Sequence, residues 1–541
     1  MAPPTRPTDR LRPSWRPRAP DRLLLAGLGL YALLRTPSLF EPPWHVDEAG
    51  YTITAWLAAH GAVLYAGVWN NKPPLLFWTY ELALRVFGVG EFGIHLLSGL
   101  AGLVTLSALW LIVRPGWGRH RAAVAVLLAA VLLGTPLLNG DLALPEDFLV
   151  ACTSCGMLCI LAAQGRPRGR SRAVLGVVAG VAFGLAILYQ QTAVADAGAA
   201  AVFCAALPGR RGWGALAGMV PAAVLVVGAA IAPFLVWAGA RNVGFLLVTS
   251  FLGYTRSTLP VTAAALVPRA AAALGWCLGA LTARRSEPRR QLLWLWIGAV
   301  VLAAIAPNRP YIHFALPAVV PAAALLAGAR LRAPTRWWAR ALPRAGGWRR
   351  APLVASAVCS MVVGGLVLHA TSWGVYTLGL TAAYYPNFLA HAMGLESTAA
   401  YRSSFGTATL ADQVAAQWID DNHLAGSRTV VWSSDAWLYP LAHLRLVLPT
   451  SNLNVDEAWL GSRAVLARVT RAHPSVVVTT ARALQSWPQV DHLLGSGYTR
   501  SFTDGAVSVW VRHPAGRTRR AAQRRSRRGT SGSPAAGTGR L

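Results

Sequence analysis

Two carboxylates stand side by side in Trp44-His45-Val46-Asp47-Glu48-Ala49-Gly50-Tyr51, directly before an amphipathic stretch that runs to His60. Acids in that position can complement a helix N-terminus, worth about 0.3–1 kcal/mol. They can also accept a proton from an incoming hydroxyl or hold a divalent cation. Further along comes Lys72, the single lysine among 50 basic residues, in Asn71-Lys72-Pro73-Pro74. A compact ammonium on a flexible stem suits a phosphate as a point charge, or it can snorkel at a bilayer surface. Together, the acid pair, the lone lysine and the unusual length of the loop that carries them favour chemistry over helix capping.

The elements that must position these residues follow from composition. The 541 residues are 54% hydrophobic and 13% charged, with 50 Lys and Arg against 21 Asp and Glu for a net charge of +29. That charged fraction is about half the usual level, which excludes a disordered chain and argues against a soluble globular enzyme. The apolar residues come in blocks long enough to cross a bilayer, near 22–39, 92–113, 121–138, 148–164, 173–189, 193–207, 215–238, 264–282, 291–307, 312–330 and 352–371. An all-α polytopic membrane bundle of about eleven helices is therefore expected. The basic excess does not point to nucleic acid. Loops 114–121, 165–172, 208–214, 283–290 and 330–350 hold twenty arginines and one acid, Glu287, as the positive-inside rule would have it. The opposite loops hold Glu41, Asp47, Glu48, Glu81, Glu91, Asp141, Glu146 and Asp147, which places the candidate residues on the extracytoplasmic side.

The first outer loop should carry two interfacial helices, one from the acid pair to His60 and one from the prolines to Phe87, with Glu81 and Arg85 paired at i, i+4. The six cysteines all lie in apolar blocks and imply no disulfide framework. Gly88-x-Gly90-x-x-Gly93 leads into a span instead of following a strand, so it is not read as a dinucleotide loop. Gly176, Gly180 and Gly184 should admit a neighbouring helix closely, and Asp196 is either a functional group within an apolar segment or a helix cap.

Four regions are expected: a disordered basic tail over 1–21, a transmembrane domain over 22–371, an extracytoplasmic α/β domain over 372–513 and a disordered basic tail over 514–541. In the third, helices are expected at 412–421 and 456–472, buried strands at 429–433 and 475–480, and a hairpin at 498–512 around Asp504-Gly505.

Several of these features resemble the first outer loop of polyprenyl-phosphate-sugar glycosyltransferases of the GT-C class, including the protein O-mannosyltransferase-like and aminoarabinose-transferase-like membrane enzymes. The matching residues are Asp47-Glu48-Ala49-x-Tyr51, Gly61, Tyr65, Lys72-Pro73-Pro74, Phe87-Gly88 and Glu91-Phe92, then Glu146, and Arg309-Pro310-Tyr311-x-His313-Phe314 with Pro317. The resemblance covers about residues 20–330. It implies a GT-C-type fold and inverting transfer of a sugar from a polyprenyl phosphate to an acceptor hydroxyl outside the cytoplasm. It further implies that Asp47 is the catalytic base and Glu48 its neighbour in the site. Lys72 and Arg309 would bind the donor phosphate, while Tyr51, Asp141, Glu146, Tyr311 and His313 would line the cavity. The expected partners are a lipid-linked sugar donor, the bilayer and an acceptor protein, glycan or lipid, with no nucleic acid.

Two departures bear on the site. Asn71 stands where some relatives have an acid, which leaves a divalent cation open and assigns no metal ligand. Gln190-Gln191 stands where relatives often carry Lys-Gln. The rival readings are a lipid-linked saccharide transporter or flippase, and a catalytically silent scaffold. Transporters usually carry internal repeats and interrupted midplane helices, and neither is legible in the sequence.

Overall fold

The computed structural model describes residues 21–166, 169–207, 211–250, 288–305, 311–328, 371–432, 436–480, 487–505 and 507–513. Its first part is helical: α1 (Arg22–Arg35) with a 3-10 turn at Thr36–Phe40, α2 (Val46–Ala59), α3 (Pro74–Phe87), α4 (Glu91–Trp117), α5 (Arg119–Gly134), α6 (Pro145–Gln164), α7 (Arg170–Tyr189), α8 (Val194–Ala206), α9 (Trp213–Phe234) and α10 (Ala240–Gly244). Then come α11 (Pro288–Ile305) and α12 (Leu316–Gly328). Each expected span from 22–39 to 215–238, and those at 291–307 and 312–330, falls on helix. The span expected at 264–282 lies outside the described residues, as does all but the last residue of the one expected at 352–371. The basic tails expected over 1–21 and 514–541 also lie outside them, apart from Asp21. Five helical stretches among the described residues are long and apolar enough to cross a membrane: Arg22–Phe40, Glu91–Trp117, Pro145–Gln164, Arg170–Tyr189 and Trp213–Thr249. The chain is a multi-pass membrane protein.

Packing in the bundle is set by small residues. A Cβ at Gly176 or Gly180 would run into the backbone oxygen of Ala215 or Met219, and one at Gly184 would meet Val226, so α7 and α9 lie together along the glycine stripe. Asp196 accepts a hydrogen bond from the Trp296 indole at 2.6 Å, tying α8 to α11. That contact between helices takes the place of the helix cap considered for Asp196. Pro233 ends the regular turn of α9 and a π-helical stretch, Leu235–Gly239, follows.

The arginine-rich loops gather at one end. Arg172 donates to the carbonyls of Arg166 and Arg211, Arg290 donates to that of Gly328, and Arg290 also lies 5.5 Å over the Trp117 ring. The acids collect at the other end, where α2 and α3 form the two expected helices of the first long loop. Glu81 and Arg85 pair there at 2.5 Å.

Above this end sits a mixed sheet flanked by helices. Its strands are β1 (Arg428–Trp432), β2 (Arg445–Leu446), β3 (Val476–Thr480), β4 (Tyr498–Asp504) and β5 (Val507–Arg512), in the order β2-β1-β3-β5-β4. β1 pairs in parallel with β2 and β3, whereas β5 is antiparallel to both β3 and β4. The helices are α13 (Thr371–Ala392), α14 (Thr398–Ser404), α15 (Thr407–Asp421), α16 (Leu438–Leu441), α17 (Leu453–Leu460), α18 (Ser462–Ala472) and α19 (Pro488–Gly497). The single helix expected over 456–472 is two, broken at Gly461, whose φ of 82° a side chain would oppose. The region expected from 372 onwards opens with a long helix, Thr371–Ala392. Its Tyr384 reaches back to hydrogen-bond Glu41.

The sheet unit is fastened to α2. Ala49 and Ile53 are fully buried among Ala411, Ala415, Trp437 and Val478. The Trp437 indole donates to the His45 carbonyl at 3.1 Å, and Trp69 N–H donates to the Pro449 carbonyl at 2.7 Å. Burial of Ile53 alone is worth about 1.5–3 kcal/mol. The helix that bears the acid pair is thus clamped between the bundle and the sheet unit.

Candidate functional site

The helix α2 begins at Val46, so Asp47 and Glu48 occupy its first turn and point about 100° apart around the axis. Asp47 is half-buried, on the open side. Glu48 is turned into the protein with no exposed surface. Its Oε1 accepts from the Ala143 N–H at 2.6 Å and lies 3.0 Å from His95 Nε2. Burial raises the Glu48 carboxyl, but the His95 imidazole and the Ala143 N–H outweigh it and hold the group below the ordinary carboxylate value.

Lys72 ends the turn between α2 and α3. Tyr65, with a left-handed φ of 70°, fixes that turn by donating its hydroxyl to the Lys72 carbonyl at 2.9 Å. Gln191 Nε2 holds the Asn71 carbonyl at 2.7 Å. The Lys72 Nζ donates to Gln190 Oε1 at 3.2 Å, and Gln190 Nε2 donates to Glu146 Oε1 at 2.8 Å. Gln190 therefore stands between the ammonium and the carboxylate. Among the described residues Lys72 has no ion pair. Its charge is held in place without being neutralised, which is what an anion site requires.

His313 closes this group. It is buried at the start of the α12 segment and stacks on the more exposed Tyr311 ring with centroids 5.6 Å apart. The charges of Glu146, Asp47, His45 and Lys72 all act on its ring. Glu146 Oε2 and His45 Nδ1 are buried there without a hydrogen-bond partner among the described residues.

The remaining candidates divide differently. Tyr51 packs edge-on against Tyr80 and Phe77, with centroids at 5.7 and 6.4 Å, within the contact between α2 and α3. Asp141 belongs to a second, buried group with Glu48. Burial raises its carboxyl, and the charge of Arg35 opposes that shift. Arg309 lies outside the described residues.

Two buried cations organise this second group, and neither carries a separate signal in the sequence. Arg35, at the end of α1, donates to the carbonyls of Gly140, His95 and Leu142 and to Ser98 Oγ, pinning the loop that supplies the Ala143 N–H. His95 Nε2 lies between Glu48 and Glu91, at 3.0 and 3.4 Å. Both residues sit inside apolar runs where a span is the only legible feature. Gln190 stands out in the sequence only as a departure from relatives; its bridge to Glu146 required coordinates.

The chain has the GT-C fold. Over 92% of its length it superposes on ArnT from Cupriavidus metallidurans bound to undecaprenyl phosphate, covering 99% of that protein with a TM-score of 0.55 at 17% identity. The apo state of the same protein superposes equally well, with a TM-score of 0.55 over 90% of this chain and 97% of that one, also at 17% identity. Residues 71–237 are similar to the model of the dolichyl-phosphate-mannose-protein mannosyltransferase family. That stretch includes Lys72, Glu146 and Gln190 and starts after Asp47. Two uncharacterized proteins of Aquifex aeolicus (strain VF5) are similar over shorter stretches, 27% identical over 112 residues and 29% over 87. These matches span 20% and 16% of this chain and only 22% and 21% of those relatives.

Proposed function

We propose that the protein is an integral membrane glycosyltransferase that moves a sugar from a polyprenyl phosphate to an acceptor hydroxyl on the extracytoplasmic face, with inversion. The observation that carries this reading is the half-buried, unneutralised Lys72 ammonium in one space with Asp47, Glu146 and His313. A soluble nucleotide-sugar enzyme would need neither the spans nor the apolar surface beside this lysine. Trp78 and Leu82 of α3 and Val236 and Trp237 beyond α9 are exposed there, and Trp78 lies against Phe234 with centroids at 6.4 Å. Such a surface suits a prenyl chain lying in the bilayer with its phosphate raised to Lys72.

In this mechanism the acceptor oxygen attacks the anomeric carbon from the face opposite the phosphate. Asp47 takes the hydroxyl proton, and the bond from the anomeric carbon to the phosphate oxygen breaks. General-base assistance contributes about 10²–10⁴-fold. The departing phosphate gains negative charge against the Lys72 ammonium, with Arg309 as its second cation. Tyr311 and His313 contact the donor head group, and Glu146, through Gln190, keeps Lys72 extended.

The test uses purified protein in liposomes with a polyprenyl phosphate carrying a radiolabelled sugar and an envelope fraction as acceptor. Label should move to acceptor material with the wild type and stay on lipid with Asp47→Asn. Donor crossing the bilayer intact would mean a transporter, and donor left untouched by the wild type would mean a scaffold; either result overturns the proposal.

A further inference from the structure

On the buried side of α2, Glu48, Glu91 and His95 bring one donor atom each within 4.8 Å of one another. We infer that these three side chains form a site for a divalent transition-metal ion of the Zn2+ class, joining α2 to α4. His95 Nε2 stands 3.0 Å from Glu48 Oε1 and 3.4 Å from Glu91 Oε2. Bonds of about 2.0–2.1 Å in tetrahedral array place neighbouring ligand atoms about 3.3–3.4 Å apart, so small side-chain shifts suffice.

Two independent observations point to a ligand there. The first is the set of outer contacts. His95 Nδ1 lies 2.6 Å from the Ser38 carbonyl, which only accepts, so Nδ1 keeps its hydrogen, and a metal would take the place of the Nε2 proton that now faces Glu48 and Glu91. Glu48 Oε1 is oriented in turn by the Ala143 N–H. The second is the orphaned oxygens. Among the described residues, Glu48 Oε2 and both oxygens of Glu91 are buried with no hydrogen-bond partner of good geometry, the Trp44 amide and His95 Nε2 lying close to Glu91.

Charge points the same way. Glu41, Glu48, Glu91, Asp141 and Asp147 are buried together at this end, and the buried cations beside them among the described residues are Arg35 and His95. Buried charge is paired or bound to metal. A divalent ion with a neutral imidazole balances Glu48 and Glu91 completely, whereas a protonated His95 balances only one of them. A cavity of about 460 Å³, lined by Glu41, Gly90, Glu91, Tyr401 and Arg402 among others, abuts the site and offers a route from solvent. The ion would lock the first turn of α2 and thereby the position of Asp47.

This inference does not rest on sugar transfer, because its readout is metal content. Full-length protein, purified through a tag without histidine and stripped with chelator, is titrated with Zn2+ in nanodiscs. The expected result is about one tightly held Zn2+ per chain, an X-ray absorption shell of N and O donors with one imidazole, and a higher melting temperature on loading. Glu91→Gln and His95→Gln should each weaken binding at least about a hundredfold, the upper end of what loss of an outer contact costs. His95→Arg should bind no Zn2+ at this site while matching the loaded wild type in melting temperature, since its fixed cation replaces the ion. Wild-type protein that holds no tight Zn2+, or Zn2+ retained equally by the glutamine variants, would overturn the inference. The wild-type stoichiometry decides the matter even where a variant fails to fold.

Discussion

Lys72 rests on a neutral amide, and that choice of partner controls what the ammonium can do. Gln190→Glu would place a carboxylate against it and satisfy the charge internally. Donor KM should then rise about tenfold, equivalent to about 1.4 kcal/mol, and the melting temperature should fall, because the bond from Gln190 to Glu146 is lost and two buried carboxylates face each other. A steady-state titration of donor checks this. Glu41 makes a different prediction. Burial, and then the nearby Asp141 charge, push its carboxyl from 4.5 up to about 8, while Tyr384 and Trp44 hydrogen-bond it. The folded-state value lies above the unfolded one, so this stabilisation is full below pH 4.5 and is lost as pH rises through about 8. Its size is on the order of a few kcal/mol. Melting curves across that window should slope downwards for the wild type and flatten for Glu41→Gln. At this scale the sequence showed Asp47 and Lys72 because their types are rare in their surroundings. It hid His95 and Arg35 because, Glu91 apart, their partners lie 47 to 107 positions away.

Helices were legible wherever an apolar run was long, and the two interfacial helices were legible from their flanking acids and prolines. What the runs could not show is how α2 is held. Its position depends on Trp437, whose indole caps the His45 carbonyl and whose ring covers Ala49 and Ile53. Trp437→Ala should cost about 3–5 kcal/mol and lower kcat, because the first turn of α2 loses its outer wall. Thermal melts and turnover of the purified variant check both. The glycine stripe makes a prediction for the bundle itself. At Gly180 an added side chain meets the Met219 carbonyl, so Gly180→Val should force α7 and α9 apart and sharply reduce the yield of monodisperse protein. Gly198 on α8 has open space where its Cβ would go, so Gly198→Ala should leave that yield unchanged in the same size-exclusion assay. Two of the missed features of the sheet unit have local causes. Gly461 breaks a continuous amphipathic pattern by conformation, and the two-residue β2 is too short to show any alternation.

Across the whole molecule, charge separates the two ends. Arginine-rich loops close one end with carbonyl and aromatic contacts, and the acids and Lys72 occupy the other beneath the sheet unit. Loop charge alone made that division readable in the sequence. It could not reveal that the acid-bearing end splits into an open group around Asp47, Lys72, Glu146 and His313 and a buried group around Glu48, Asp141, Arg35 and His95. That division depends on the helical twist between adjacent residues 47 and 48. Under the proposed function, donor chemistry would belong to the open group.

The most direct measurement is an experimental structure of the protein with a polyprenyl phosphate bound. The phosphate should lie within hydrogen-bond distance of Lys72 Nζ, with the Lys72–Gln190 contact loosened or shared and Asp47 facing the carbon to be attacked. A phosphate bound elsewhere, with Lys72 still resting on Gln190, would contradict this assignment.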